Sequence, residues 1–354
     1  MNLLESTIEG ICPQDEAWRA KARERLEQLT MPYWALGRLM DLAEDLAGMS
    51  RSMRPPVKRK AIVTMVGDHG VTAEGISKYP PAVTPQMVHN FVNGGAGINA
   101  LARCVDARVV VVDMGVAGDL DDLVQTGKIV SKRIGKGTHN IAAGPAMSAQ
   151  EAVRCLEAGI EVALDLGSST DVFGTGDMGI GNTTPSAAIA AAITGLPASE
   201  VTGRGTGIDD VQLKRKSEVV QRALDVNKPD PSDGLDVLAK VGGFEIGGLA
   251  GLILGAASQR KPILIDGFIS TAAALIAHTL APAASDYMIA AHRSEERGHR
   301  AMHKHLGKEP LLDLNMRLGE GTGAALAMHL VDAAVAVLTE VSTFDEASVS
   351  EAEE

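Results

Sequence analysis

Aromatic side chains are scarce in this sequence: five Phe, three Tyr and two Trp make up 3% of 354 residues. Apolar residues still reach 45%, so the core must be aliphatic, and a platform for stacking successive nucleic-acid bases is excluded. Positive charge is in deficit as well. Thirty-three Lys and Arg face 45 Asp and Glu, and the net charge of −12 opposes binding to a duplex backbone. The three cysteines, Cys12, Cys104 and Cys155, show no CxxC or zinc spacing. An odd count fits a reducing, cytoplasmic setting better than a disulfide framework. The opening MNLLESTIEG has no signal-peptide core. The most apolar runs are 249–257, which is short, and 324–338, which His329 and Asp332 interrupt, so no membrane span is expected. Also missing are a Walker lysine motif, a nucleophile elbow and any His-Cys pairing with catalytic context.

What the chain does have is glycine, 38 residues of it. The densest stretch is FGTGDMGIGNTT, 173–184, followed by the alanine-rich helical pattern PSAAIAAAITG. TDVF ahead of it reads as a strand, giving strand, glycine loop, helix. Glycines let backbone N–H groups approach a ligand, and a helix N-terminus favours an anion. A phosphate would sit there, with Asn182, Thr183 and Thr184 adding side-chain bonds. Gly174 to Gly179 also spells the GxGxxG dinucleotide fingerprint, but the acidic strand-end residue expected about 20 positions on is missing. A mononucleotide-phosphate loop is the better reading; an NAD-dependent dehydrogenase and a non-catalytic nucleotide-binding protein are the alternatives.

Length allows one large α/β domain, or a large and a small one. Two amphipathic helices are predicted over 14–29 and 35–48, then a basic linker over 51–60. Strands are predicted at 61–66, 108–114, 170–173, 262–266, 287–291 and 310–315. Helices are predicted at 85–104 (capped by Thr84), 149–165 (capping box Ser148 and Glu151), 184–194, 209–225, 245–258, 270–280, 295–306 and 322–339. The alternation implies a mainly parallel sheet, Rossmann-like, with helices on both faces. Polar, glycine-bearing segments follow the strands: GDHG (67–70), GTGDMG (174–179), DGFIS (266–270), HRSEE (292–296) and LGEGTG (318–323). Ligands bind beyond the carboxyl ends of such strands, so the five should converge on one small-molecule cleft.

Within that cleft, Glu320 stands between Gly319 and Gly321 at a helix start. It is either a simple dipole partner or, partly desolvated, a general base. Asp266 is a second candidate acid, with an ordinary turn role about as plausible. GRGTGIDD, 203–210, is a further glycine turn, with Lys214, Arg215 and Lys216 one to two turns on. His69 beside Asp68 lacks the rest of a metal-ligand set and is assigned to loop hydrogen bonding. His292-Arg293-Ser294 can serve a ribose or phosphate.

GDHGVTAEGIS, VTPQMV, GDMGIGNTT, GRGTGIDD, GGFEIGGLAGLILGAA, ILIDGFISTAAALIA, HRSEERGHR, PLLDLNMRLGEGTGAALA and STFDEASVS resemble, block by block, the nicotinate-nucleotide–dimethylbenzimidazole phosphoribosyltransferases of cobalamin assembly. The resemblance runs from about residue 10 to 350. It implies a Rossmann-like domain over 58–323 and a small helical domain from both chain ends, 1–50 and 324–350, in a homodimer. It implies transfer of ribose phosphate from nicotinate mononucleotide to a benzimidazole, with no cofactor and no metal, Glu320 as catalytic base and Asp266 beside it. Phosphate and ribose contacts fall on Gly176, Asp177, Gly179, Asn182, Thr183, Gly205, Lys216 and Ser294. The azole-binding candidates are Ser77, Tyr79 and Gln86. Two departures from the family pattern stand out: Asp177 replaces the usual Glu, and Pro32-Tyr33-Trp34-Ala35 replaces Pro-Pro-Gly-Ser.

Overall fold

A computed structural model describes residues 2–205 and 207–350. Six strands form one all-parallel sheet: β1 (Lys60–Gly67), β2 (Ala107–Gly115), β3 (Val130–Ser131), β4 (Val172–Met178), β5 (Ile263–Ile265) and β6 (Met288–Ala290). Their spatial order is β3-β2-β1-β4-β5-β6. Every residue of β1 is buried, as expected for a parallel strand covered on both faces. The pleat shows what covers each face. Ile62 and Thr64 face the segment around Gly321 and Met328, whereas Met65 lies against Gly248 of the helix Phe244–Ser258. The strand order reverses between β1 and β4, which opens a crevice beyond their carboxyl ends.

Close helix packing here depends on small residues. A Cβ at Gly159 would lie 1.9 Å from the Gly248 carbonyl, and one at Gly251 1.9 Å from that of Leu156. These glycines let Ala149–Gly167 and Phe244–Ser258 touch backbone to backbone. With few aromatics to fill gaps, near approach of helices is how this aliphatic core reaches density.

The two chain ends meet. Glu16–Glu27 and Arg38–Ser50 pack on each other and on the helix Thr322–Glu340. Arg25 Nε donates to the Leu338 carbonyl (2.9 Å), and Leu29 bridges Thr343. Thr322–Glu340 is long and apolar enough by composition to cross a membrane. It packs instead against β4, β5 and the helix Gly97–Cys104, and Lys60 Nζ pairs with its Asp332 at 2.5 Å.

The capping box at Ser148 and Glu151 is present. Several boundaries differ from expectation. The helix predicted over 85–104 is two, Val83–Val92 and Gly97–Cys104, parted at Gly94 (φ +76°). Thr84 sits inside the first of them rather than capping it, and its hydroxyl accepts from Ile180 N–H (3.2 Å). The expected strand 310–315 is reduced to one parallel bridge, His292 to Leu312. The helix predicted over 295–306 starts at His299. β4 runs to Met178, so Gly174 and Gly176 belong to a strand and the GxGxxG letters do not form the turn a dinucleotide needs.

Candidate active site

A cavity of about 580 Å³ opens at the carboxyl ends of β4, β5 and β6. Its wall is drawn from the exits of those strands, from 317–320, from Gly205 and Lys216, and from the segment 76–87. Four of the five expected glycine segments line it. The fifth, GDHG, lies beneath. There His69 Nε2 is 2.7 Å from Glu245 Oε1, both buried, and the pair braces the end of β1 to the helix Phe244–Ser258. Burial alone would lower the His69 pKa; the Glu245 carboxylate outweighs it and raises it.

Glu320 is held by geometry few sequences tolerate. Gly319, Glu320 and Gly321 all have positive φ (+82°, +64°, +98°), a run in which the flanking positions need glycine. The Glu320 carbonyl accepts from Thr64 Oγ1 (3.1 Å), and its N–H donates to the Asp177 carbonyl (3.2 Å). Its carboxylate lines the cavity and Oε2 accepts from Ile98 N–H (3.0 Å) at the start of the helix Gly97–Cys104. Burial pushes the Glu320 pKa up, the Ile98 N–H works against it, and neighbouring Asp266 adds to the rise. The net upward shift suits a carboxylate that must take a proton near neutral pH.

Asp266 is fully buried and is not in the cavity wall. Its Oδ1 accepts from Gly323 N–H (2.7 Å) and Ala324 N–H (2.9 Å), and its Oδ2 from Gly321 N–H (3.2 Å). It satisfies orphan donors at the start of the helix Thr322–Glu340. Through these amides Asp266 anchors the turn that presents Glu320, and His292 of the cavity wall has its Nε2 3.8 Å from Asp266 Oδ1.

Gly176 also bears on the placement of Glu320. A Cβ there would lie 2.3 Å from the Glu320 carbonyl oxygen, and Gly176 is absent from the wall. The absence of a side chain at Gly176 admits the Glu320 backbone.

The remaining phosphate and ribose candidates do gather in the wall: Asp177, Gly179, Asn182, Thr183, Gly205, Lys216 and Ser294. Gly181 (φ +91°) turns the chain from β4 into Thr183–Thr194. Lys216 is 1% exposed, and its Nζ donates to Thr183 Oγ1 (2.6 Å). Burial lowers its pKa to about 8, with Glu296 acting in the other direction. Asp177 accepts from Asn182 Nδ2 (3.0 Å) through Oδ2, while Oδ1 has no protein partner among the described residues. Burial, then the neighbouring Asp266, drives the Asp177 pKa well above the ordinary carboxylate value.

Of the azole candidates, Ser77 and Tyr79 line the cavity. Gln86 is exposed on Val83–Val92 outside the wall, and the residues that enter from that helix are Val83 and Met87. With Ile76, Phe268, Ile269 and Leu318 they give the cavity an apolar side that sequence reading missed; one signal was available, the apolar i, i+4 pair Val83 and Met87. Tyr33 is exposed, and Trp34 Nε1 donates to Asp41 (2.9 Å); neither reaches the cavity. Among the described residues, no group of three or more His, Cys, Asp or Glu is placed to hold a metal ion.

A family model described as phosphoribosyltransferase matches residues 11–349. The chain is 64% identical over 351 residues to the nicotinate-nucleotide–dimethylbenzimidazole phosphoribosyltransferase of Syntrophotalea carbinolica, covering 99% of both proteins. It is 58% identical to the protein of the same name from Desulfotalea psychrophila, again over 99% of each. Its fold superposes on the crystal structure of CobT from Thermus thermophilus with a TM-score of 0.91 and 45% identity, over 95% of this chain and 100% of that one. By end-to-end similarity in sequence and in fold, the chain belongs to the nicotinate-nucleotide–dimethylbenzimidazole phosphoribosyltransferase family.

Proposed function

We propose that this enzyme moves the ribose phosphate of nicotinate mononucleotide onto a ring nitrogen of a benzimidazole, giving α-ribazole phosphate and nicotinate for cobalamin synthesis. The observation that carries the reading is Glu320: a carboxylate of raised pKa, fixed by Thr64, Ile98 and the Asp266-anchored turn, in the wall of a cavity that also holds a buried lysine.

In the reaction the bond from the anomeric carbon to nicotinate breaks, and its electron pair returns to the pyridinium nitrogen. The azole nitrogen that carries a free electron pair bonds to that carbon, and the proton on the other ring nitrogen passes to Glu320. A base placed this way contributes about 10²–10⁴-fold, with the remainder from holding two substrates in line. Lys216, Thr183 and the turn at Gly179–Asn182 bind the phosphate; Ile76, Ser77, Tyr79, Val83 and Met87 bound the azole. The phosphate travels with the ribose and no bond to phosphorus is made or broken, so the chemistry calls for no metal.

We further propose a cytoplasmic homodimer, with the helices of the two chain ends forming a small domain; the three free cysteines agree with that setting. Sedimentation at micromolar concentration checks the dimer, and a monomer would remove it. Incubation of purified protein with nicotinate mononucleotide and a panel of azoles, read by product mass, tests the reaction. Product with no azole, or with none of the panel, would defeat the reading.

A further inference from the structure

Glu296 is a buried carboxylate in the wall of the cavity to which the sequence assigned no role. It is 7% exposed, and its Oε2 has no hydrogen-bond partner among the described residues. The backbone around it is fixed: its N–H donates to Ser294 Oγ (3.4 Å), its carbonyl accepts from His299 N–H (3.1 Å), and Ser294 N–H donates to His299 Nδ1 (2.8 Å). Its seat is shaped too. A Cβ on Gly203 would lie 1.7 Å from Oε2, so the carboxylate occupies room that glycine alone leaves free.

Oε2 is shut in against Gly203, so Oε1 is the oxygen that can meet a ligand in the cavity, and it too receives no protein hydrogen bond among the described residues; a carboxylate buried this far without donors gains from one that a ligand supplies. Few groups of the proposed substrates can supply it. The phosphate dianion and the nicotinate carboxylate are acceptors only. The azole N–H goes to Glu320. That leaves the ribose hydroxyls. Position agrees, because Glu296 and Lys216 line the same cavity, where the sugar of a nucleotide whose phosphate meets Lys216 would lie.

We infer that Glu296 accepts a hydrogen bond from a ribose hydroxyl of the nucleotide and selects ribose over deoxyribose. This rests on the nucleotide reading above.

The test compares nicotinate mononucleotide with its 2′-deoxy and 3′-deoxy analogues in the parent, Glu296→Ala and Glu296→Gln, by kcat/KM and by calorimetric binding. A charge-assisted hydrogen bond implies that the parent prefers the ribonucleotide over one analogue by about 10- to 100-fold. Glu296→Ala should bring that ratio to near one, chiefly through KM, and Glu296→Gln should restore part of it. If Glu296 merely balanced the Lys216 charge, affinity would change while the ratio stayed; that result overturns the inference. So does loss of the preference in Asp177→Asn with its retention in Glu296→Ala, which moves the hydroxyl to Asp177. If the parent turns over no azole yet binds the nucleotide, the transferase reading fails, and the binding ratios still decide the role of Glu296.

Discussion

Lys216 offers a perturbation whose size follows from its surroundings. The side chain is 1% exposed, its ammonium donates to Thr183 Oγ1, and burial lowers its pKa from 10.5 to about 8. At about 1.36 kcal/mol per tenfold, that fall is worth about 3 kcal/mol of instability in the charged form. Between those two pKa values the unfolded chain binds a proton that the native site does not, so stability rises with pH through that window. Below about pH 8 the empty site carries the whole cost, and a phosphate dianion relieves it. Lys216→Met should therefore stabilise the ligand-free protein at pH 7 by about 1–3 kcal/mol, since the lost Thr183 bond offsets part of the gain. The advantage over the parent should shrink as pH rises from 8 toward 10. Nucleotide affinity should fall at least tenfold in the variant, and azole affinity should hold. Urea denaturation at pH 7 and pH 9.5, with nucleotide titrations alongside, reads all of this. A variant less stable than the parent at pH 7, with a gap indifferent to pH, would refute the reasoning.

Other expectations follow from single contacts. Asp266→Ala removes the acceptor for three amides at a helix start. It should cost about 3 kcal/mol or more in denaturation and lower turnover through Glu320. Gly176→Ala would push on the Glu320 carbonyl from 2.3 Å; displacement on the order of 1 Å can cost about 10²-fold. Its kcat should drop while KM for the nucleotide holds, and the reverse split would return Gly176 to the phosphate site. Above about pH 8, where Lys216 loses its proton, KM for the nucleotide should climb in the parent, and a flat KM up to pH 9.5 would count against a charged Lys216 as the phosphate ligand.

The sequence made the βα alternation legible because aliphatic runs and capping residues are local signals: β1, β2 and the Ser148 box lie where expected. It could not show that Gly174 and Gly176 sit in a strand. Glycine density ordinarily marks a turn, and here the reason for it is a distant segment, the Glu320 backbone and Met328, pressing on β4. β3 is two residues long, below any periodicity. Glu320 could be singled out from its flanking glycines, whereas the part of Asp266 depended on which amides its carboxylate meets across 55 or more residues. Glu296 fell within HRSEE, one of the segments expected at the cleft, but nothing in the sequence set it apart from Glu295; burial without a partner does.

The central claim is that Glu320 takes the azole proton, and Glu320→Gln tests it most directly. Glutamine keeps the shape and can still accept from Ile98 N–H, but it cannot serve as the base. Steady-state turnover of nicotinate mononucleotide with a benzimidazole should fall by roughly 10²-fold or more. Both substrates should still bind, and the acidic limb of the parent's pH profile, placed above the ordinary Glu value of 4.5 by burial, should vanish. Near-parent turnover in Glu320→Gln, with the acidic limb intact, would contradict the account.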